Sequence, residues 1–428
     1  MQHWIVVAVI AAGYVALAEV SKLIAYSPAD AWTVWLASGL VLGALLGWRR
    51  ERARAVLAGA FIGAAVFAVM LGTSVLDALG YGVIEVAASG VAAYLVSRLV
   101  PLPLRLESSR DLAALIAAGA LPLALIGGLF AAAWHVATGG EQMTTTFRVW
   151  VLSNVIGTLL VAPLVIAWSQ FRVRRSGGMT MSAFGTGAVA CALFLLAMQI
   201  LFDAAVGSRF GGLAGRALTY VPIVFMALVA LLWGTRGATL AAFAGALIAM
   251  VNTAQGEGPF AGVEGFLGDP ELEVEGYALA IAMTGLLVAV LAAAQRNAAR
   301  TAREWQTRFE AAIGAHRLLA YEWDAVSNRM VVTGDADALV GVPATRIGVL
   351  ADWLALIAAG DRERVQTRFD ERVRGQGEPD TMTYLVQGPS GTALAATDEA
   401  RAIRDHDGAL HRIVGIVRIG AAPAPAVA

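Results

Sequence analysis

The sequence predicts a polytopic α-helical membrane bundle of about ten transmembrane helices followed by a C-terminal α+β domain. Three observations carry that expectation. Hydrophobic residues fill 58% of the 428 positions and charged residues 15%, whereas soluble domains run nearer half apolar and a quarter charged. Runs long enough to cross a hydrocarbon core of about 30 Å, which takes roughly 20 helical residues, recur through residues 1–295 and then stop. Beyond them the composition turns polar, and short strand-like runs alternate with turn residues.

The apolar runs fall near 5–26, 32–48, 54–71, 74–97, 112–138, 149–169, 183–202, 217–234, 237–253 and 276–294. The first is kept as a true span, because no small-residue cleavage site follows a compact apolar core. Arginine placement orients the set, since short cytoplasmic loops hold the positive excess. One set of alternate connections carries Arg49, Arg50, Arg52, Arg54, Arg98, Arg105, Arg110, Arg172, Arg174, Arg175 and Arg236. The opposite set has only Arg148, Arg209 and Arg216, and its connection near 254–275 is acidic, with Glu257, Glu264, Asp269, Glu271, Glu273 and Glu275. The expected arrangement is a multi-pass membrane protein with both termini cytoplasmic and the lipid bilayer as its first partner.

Ionisable groups inside spans are costly unless paired or facing a wet cavity. Glu19 and Lys22, three apart on the first helix, read as a neutralising pair near the interface. Asp77 and Glu85 lie in the fourth run, His135 ends the fifth and Asn154 lies in the sixth. Glu85 is nearest mid-membrane and has no evident partner in sequence, which makes it a candidate for ligand or proton binding. Asn154 reads either as glue between helices or as part of a site. The Gly39/Gly43/Gly47 and Gly59/Gly63 spacings predict close helix approach.

Composition also excludes classes. The net charge of -1 carries no nucleic-acid footprint. Every basic residue except Lys22 is arginine, which leaves no Walker-type lysine in the C-terminal half and only Lys22 as a retinal anchor. The one cysteine, Cys191, rules out internal disulfides and cysteine-cluster zinc sites.

Residues 296–308 predict a connecting helix with apolar positions at helical spacing, through which a homodimer could pair as a short coiled coil. Residues 309–419 then predict one compact domain. Its strands fall at 320–324, 330–333, 382–388, 393–404 and 409–419, and its helices at 353–359 and 361–374. Gly388-Pro389-Ser390-Gly391 and Asp405-His406-Asp407-Gly408 mark hairpin turns. Trp323 and Trp353 are expected to fill its core. Residues 420–428 form an Ala/Pro tail with little means of folding.

Four stretches together are similar to the membrane-associated sensor domain of the first MASE class, found at the N-terminus of bacterial histidine kinases and diguanylate cyclases. They are WLASGLVLGALLGWRRERARAVLAGAFIGA (35–64), LGYGVIEVAASGVAAYLVSRL (79–99), RVWVLSNVIGTLLVAPLVIAW (148–168) and residues 220–260. The ordered residues that carry the resemblance are Trp35, Glu85, Pro163, the Gly234-Arg236-Gly237 turn and Thr253-Gln255-Gly256-Gly258-Pro259-Phe260. Leu36 and Ala37 stand where that family usually has prolines, and Asn154 where it usually has aspartate. The resemblance implies Glu85, Asn154, Trp35 and Gln255 as ligand or coupling candidates. Residues 309–419 resemble a PAS domain, through the helix-borne DRERV from Asp361 to Val365 and the closing strand HRIVGIVRI from His411 to Ile419. Here the usual His-Pro is Ala359-Gly360 and the usual penultimate-strand tryptophan is missing. A photoactive flavin would need a pocket cysteine, and His316, His406 and His411 lie at exposed positions rather than where a haem ligand is needed, so no cofactor is expected.

These readings predict a sensory input protein, not itself an enzyme, that relays a stimulus through the PAS domain to a kinase or cyclase in trans. No GGDEF loop, EAL core or phosphoacceptor helix with a nucleotide lid is present in the sequence, and His316 beside Arg317 is the nearest thing to a phosphoacceptor. The rival readings are the sensor part of a kinase or cyclase whose output domain lies outside this chain, a transporter or channel with a regulatory soluble domain, and an interaction scaffold.

Overall fold

The computed structural model describes residues 3–24, 34–169, 181–203, 218–260, 270–374, 380–389 and 391–421. The chain divides into two compact units, Met1–Asn297 and Ala298–Ala428.

The first unit is helical. In order come α1 (His3–Leu23), α2 (Leu36–Gly47), α3 (Ala53–Met70), α4 (Val75–Leu99), α5 (Ser109–Ala137), α6 (Met143–Ser169), α7 (Met181–Leu201), α8 (Val221–Ala254) and α9 (Pro270–Ala315), the last of which includes the boundary. Eight of these are long and apolar enough to cross a membrane, counted among the described residues. The exception is α2, whose 12 residues reach about 18 Å. It is shorter than the apolar run around it because Val34 and Trp35 are not helical, and the Trp35 N–H bonds the Ser153 carbonyl instead of starting a turn.

Helix α8 is not one span. Its 34 residues would place its ends roughly 50 Å apart if straight. Yet Tyr277 donates to the Thr219 carbonyl at 2.9 Å, just before α8, and packs its ring 5.4 Å from Phe260, just after it. The chain therefore doubles back. The reversal falls at Gly234 (φ 63°, ψ −156°), a backbone region essentially closed to side-chain-bearing residues. The two apolar runs at 217–234 and 237–253 thus give two antiparallel limbs, and the ten runs read from sequence correspond to nine helices among the described residues, one of them folded on itself.

Within α5, residues Leu115–Ala120 form a π-helical stretch that the sequence reading did not foresee. Pro122, two residues beyond it, has no N–H to give the preceding turn, so the widening sits where that bond is missing.

Small residues set how closely the helices approach. A Cβ on Gly39 would lie 2.7 Å from the Gly157 carbonyl and one on Gly63 2.7 Å from the Tyr14 Cβ, which seats α2 against α6 and α3 against α1. Close packing of this kind drives helix association where lipid is as apolar as the side chains. The arginine-bearing connections gather at one end. Leu104 N bonds Leu46 O, Ser169 Oγ bonds Gly47 O, Arg110 bonds Leu99 O and Arg236 Nε bonds Ala167 O. Arg172, Arg174, Arg175, Arg209, Arg216, Glu264 and Asp269 lie outside the described residues, as does most of the terminal tail.

The second unit holds a five-stranded antiparallel sheet of β1 (Leu318–Asp324), β2 (Met330–Thr333), β3 (Asp380–Gln387), β4 (Ala393–Arg404) and β5 (Leu410–Ala421), ordered β2-β1-β5-β4-β3. Helices α10 (Ala336–Val340), α11 (Leu350–Leu356) and α12 (Ala359–Arg374) connect β2 to β3. This is the PAS-like α+β arrangement expected from the turn chemistry. Gly391 and Gly408 both take positive φ in the two hairpins. Trp323 and Trp353 are buried, Trp323 edge-on to Phe369 at 5.1 Å and Trp353 donating to the Tyr384 hydroxyl at 3.1 Å. Arg372 and Asp398 form a buried ion pair at 3.0 Å that also takes the Tyr321 hydroxyl. Burial and the neighbouring Asp398 carboxylate hold that hydroxyl well above the usual phenol range, so it acts as a donor.

Candidate functional site

Glu85 sits on the inner face of α4, 5% exposed. An acidic side chain in such a place needs partners, and three hydroxyls from three helices supply them. Ser38 Oγ of α2 donates at 2.8 Å and the Tyr14 hydroxyl of α1 at 3.2 Å, both to Oε2, while Ser89 Oγ, one turn along α4, donates to Oε1 at 2.9 Å. A carboxyl group offers about four lone-pair sites, and this shell occupies three of them. Among the described residues no basic side chain forms an ion pair with it.

The carboxylate lies against a cavity of about 830 Å³. Trp35 is positioned there by the start of α2. Its own N–H donates to Ser153 O, and the next amide, the Leu36 N–H, donates to Ser21 Oγ at 3.0 Å. Proline at 36 could not make that second bond, which gives the departure at Leu36 a physical role. The Trp35 ring meets Tyr14 at 6.2 Å and Phe67 at 5.6 Å, both edge-on, and Tyr81 stacks on Trp150 at 6.1 Å across the cavity wall. Leu71 and Thr73 from the α3–α4 connection, together with Glu141 and Gln142 from the α5–α6 connection, form the mouth. Those connections lie at the end opposite the arginine-bearing loops.

Of the four residues singled out from the sequence, Glu85, Trp35 and Asn154 line this one cavity. Gln255 does not. It closes the second limb of α8, its N–H bonded to Val251 and Asn252 carbonyls, and is not among the residues lining the cavity. Asn154 does not glue helices through its amide N–H, which donates to Trp150 O of its own α6 at 2.9 Å. Glu19 and Lys22 pair at 3.9 Å on an exposed face, away from the site. The sequence reading missed Tyr14, Ser38, Tyr81, Ser89 and Trp150. Tyr81, Glu85 and Ser89 are spaced four apart, as are Trp150 and Asn154, so one face of each helix could have been read. Tyr14 and Ser38 reach Glu85 only through tertiary packing. No group of three metal-binding side chains occurs among the described residues.

These features define a polytopic membrane protein with a polar-floored, aromatic-walled cavity inside its bundle. Family comparison matches residues 4–296 to MASE1, and the chain belongs to this family of membrane sensor domains. Comparison with curated proteins finds no match. Two solved structures are similar to parts of the chain. One is the N-terminal domain of a diguanylate cyclase with PAS/PAC sensor from Marinobacter aquaeolei, 16% identical, covering 24% of this chain and 94% of that one at a TM-score of 0.23. The other is a sensory box histidine kinase/response regulator from Burkholderia thailandensis, 18% identical, covering 26% of this chain and 83% of that one at a TM-score of 0.23.

Proposed function

We propose that this chain is a bacterial inner-membrane sensory input protein whose intrabundle cavity takes up a stimulus and whose C-terminal domain relays it to a signalling partner, a kinase or cyclase acting in trans. The observation that supports the reading is the cavity around Glu85, floored by a buried carboxylate and opening at the arginine-poor end. With the arginine-bearing end cytoplasmic by the positive-inside rule, the mouth faces outward and both termini face inward. The lining comes from α1, α3, α4, α5 and α6 and from Trp35 at the start of α2, so occupancy favours those bundle conformations in which these helices close on the ligand. The chain continues through α9 to the second unit, and its 298–315 stretch is the covalent route by which such a change reaches the sheet domain.

Hydrogen exchange on the full chain in lipid nanodiscs tests the relay. Glu85→Gln in the floor and Thr145→Trp at the mouth are each expected to change protection across 298–315 and within 318–421. Identical exchange in that region for wild type and both variants, with the spans intact, contradicts the reading.

A further inference from the structure

The cavity's lining carries a chemical preference that goes beyond a sensory role and rests on it. Among the described residues, its charged and titratable side chains other than tyrosines are Glu85 at the floor, Glu141 at the mouth and His135, with no lysine or arginine. Five aromatic rings complete the wall, those of Tyr14, Trp35, Phe67, Tyr81 and Trp150. The carboxyl group already receives three hydroxyl hydrogens, and no basic side chain pairs with it among the described residues. An anion entering this space would meet Glu85 and Glu141, with no arginine among the described lining residues to offset them. A cation finds the opposite: a buried carboxyl group whose ionised form a bound positive charge would favour, and aromatic rings that attract positive charge through their quadrupoles. The volume, about 830 Å³, exceeds what a bare metal ion needs and lies in the range of small-molecule sites. The described residues also hold no cluster of metal ligands there.

We propose that the cavity binds an organic cation, an amine or quaternary ammonium compound with an apolar body, its charged head held by Glu85 between the aromatic walls. Charge and aromatic surface act together in this assignment. Glu85 discriminates by sign, and the rings discriminate against small, strongly hydrated inorganic cations, whose desolvation the walls do not repay.

The test is binding to the full chain in nanodiscs, read by calorimetry with three probes of one shape class: benzyltrimethylammonium, benzyl alcohol and phenylacetate. The ammonium probe is expected to bind saturably and at least tenfold tighter than the other two. Glu85→Gln, which keeps an acceptor for Ser38 and Tyr14, is expected to weaken it at least tenfold. Trp150→Leu, which keeps apolar bulk and removes a ring face, is expected to weaken it several-fold while leaving benzyl alcohol unchanged. Equal affinity for the three probes, an unchanged affinity in both variants, or no saturable binding of the ammonium probe overturns the proposal. Failure here is separable from failure of the sensory reading. If either Thr145→Trp or Glu85→Gln alters exchange in the second unit while the ammonium probe does not bind, the cation assignment falls alone; if neither alters exchange, the sensory reading falls as well.

Discussion

Glu85 joins α1, α2 and α4 through hydroxyls that contribute little singly. Net worth per hydrogen bond is about 1 kcal/mol, rising to roughly 1.5–3 when one partner is charged, and a buried donor stripped of its acceptor costs about 1–3 kcal/mol. Glu85→Leu removes the acceptor from Tyr14, Ser38 and Ser89 together, whereas Glu85→Gln keeps a carbonyl in place. Thermal unfolding in detergent should show a clear loss for the leucine variant and little change for the glutamine one; equal loss in both would mean that charge rather than the hydroxyl shell organises the site. A second buried charge, the Arg372–Asp398 pair, makes a sharper case. Removing one partner of such a pair leaves an uncompensated ion at a cost of about 3–5 kcal/mol, while replacing both with apolar groups is often tolerated. Arg372→Met should therefore unfold the sheet domain at lower denaturant than Arg372→Met with Asp398→Leu, as followed by hydrogen exchange across 318–421.

At the scale of elements, two joints test the architecture. The reversal of α8 depends on Gly234 at positive φ, and Gly234→Ala should destabilise the bundle by about 1–3 kcal/mol, since that region is strained for any side chain. A melting temperature equal to wild type would argue against the folded-back helix. At the start of α12, Asp361 takes a hydrogen bond from Arg364 at 2.6 Å and another from the Leu385 N–H of β3. These hold its carboxyl below the ordinary aspartate range. The stability this lends is present in full above about pH 4 and is lost as pH falls through the lowered folded value. Between pH 5 and 3, Asp361→Asn should lose less stability in the sheet domain than wild type loses. The strands around this joint were legible because Gly391 and Gly408 mark their hairpins and because alternation of period two is hard to mistake. The shortness of α2 was not, since an apolar run does not reveal that Trp35 will give its N–H to Ser153. Nor was the π stretch before Pro122, which follows from a missing donor rather than from hydropathy.

For the whole molecule, the class of fold could be read early because apolar length and arginine bias are properties of the chain alone, independent of packing. Glu85 could be read as costly at its depth, and so as meaningful. Its shell could not, because Tyr14 and Ser38 are 71 and 47 residues away in sequence, and Gln255 was drawn in by a motif whose spatial place is elsewhere. The proposed function assigns different tasks to the two ends of the bundle: uptake to the cavity at one end, and relay to the arginine-bearing end from which the chain continues into the second unit. Cysteine accessibility in intact cells tests this most directly, using a Cys191→Ala background and a membrane-impermeant maleimide. Thr145→Cys at the mouth is predicted to label from outside, and Arg50→Cys and Ser327→Cys to label only after lysis. Labelling of Arg50→Cys or Ser327→Cys in unbroken cells, with Thr145→Cys protected, would contradict the account.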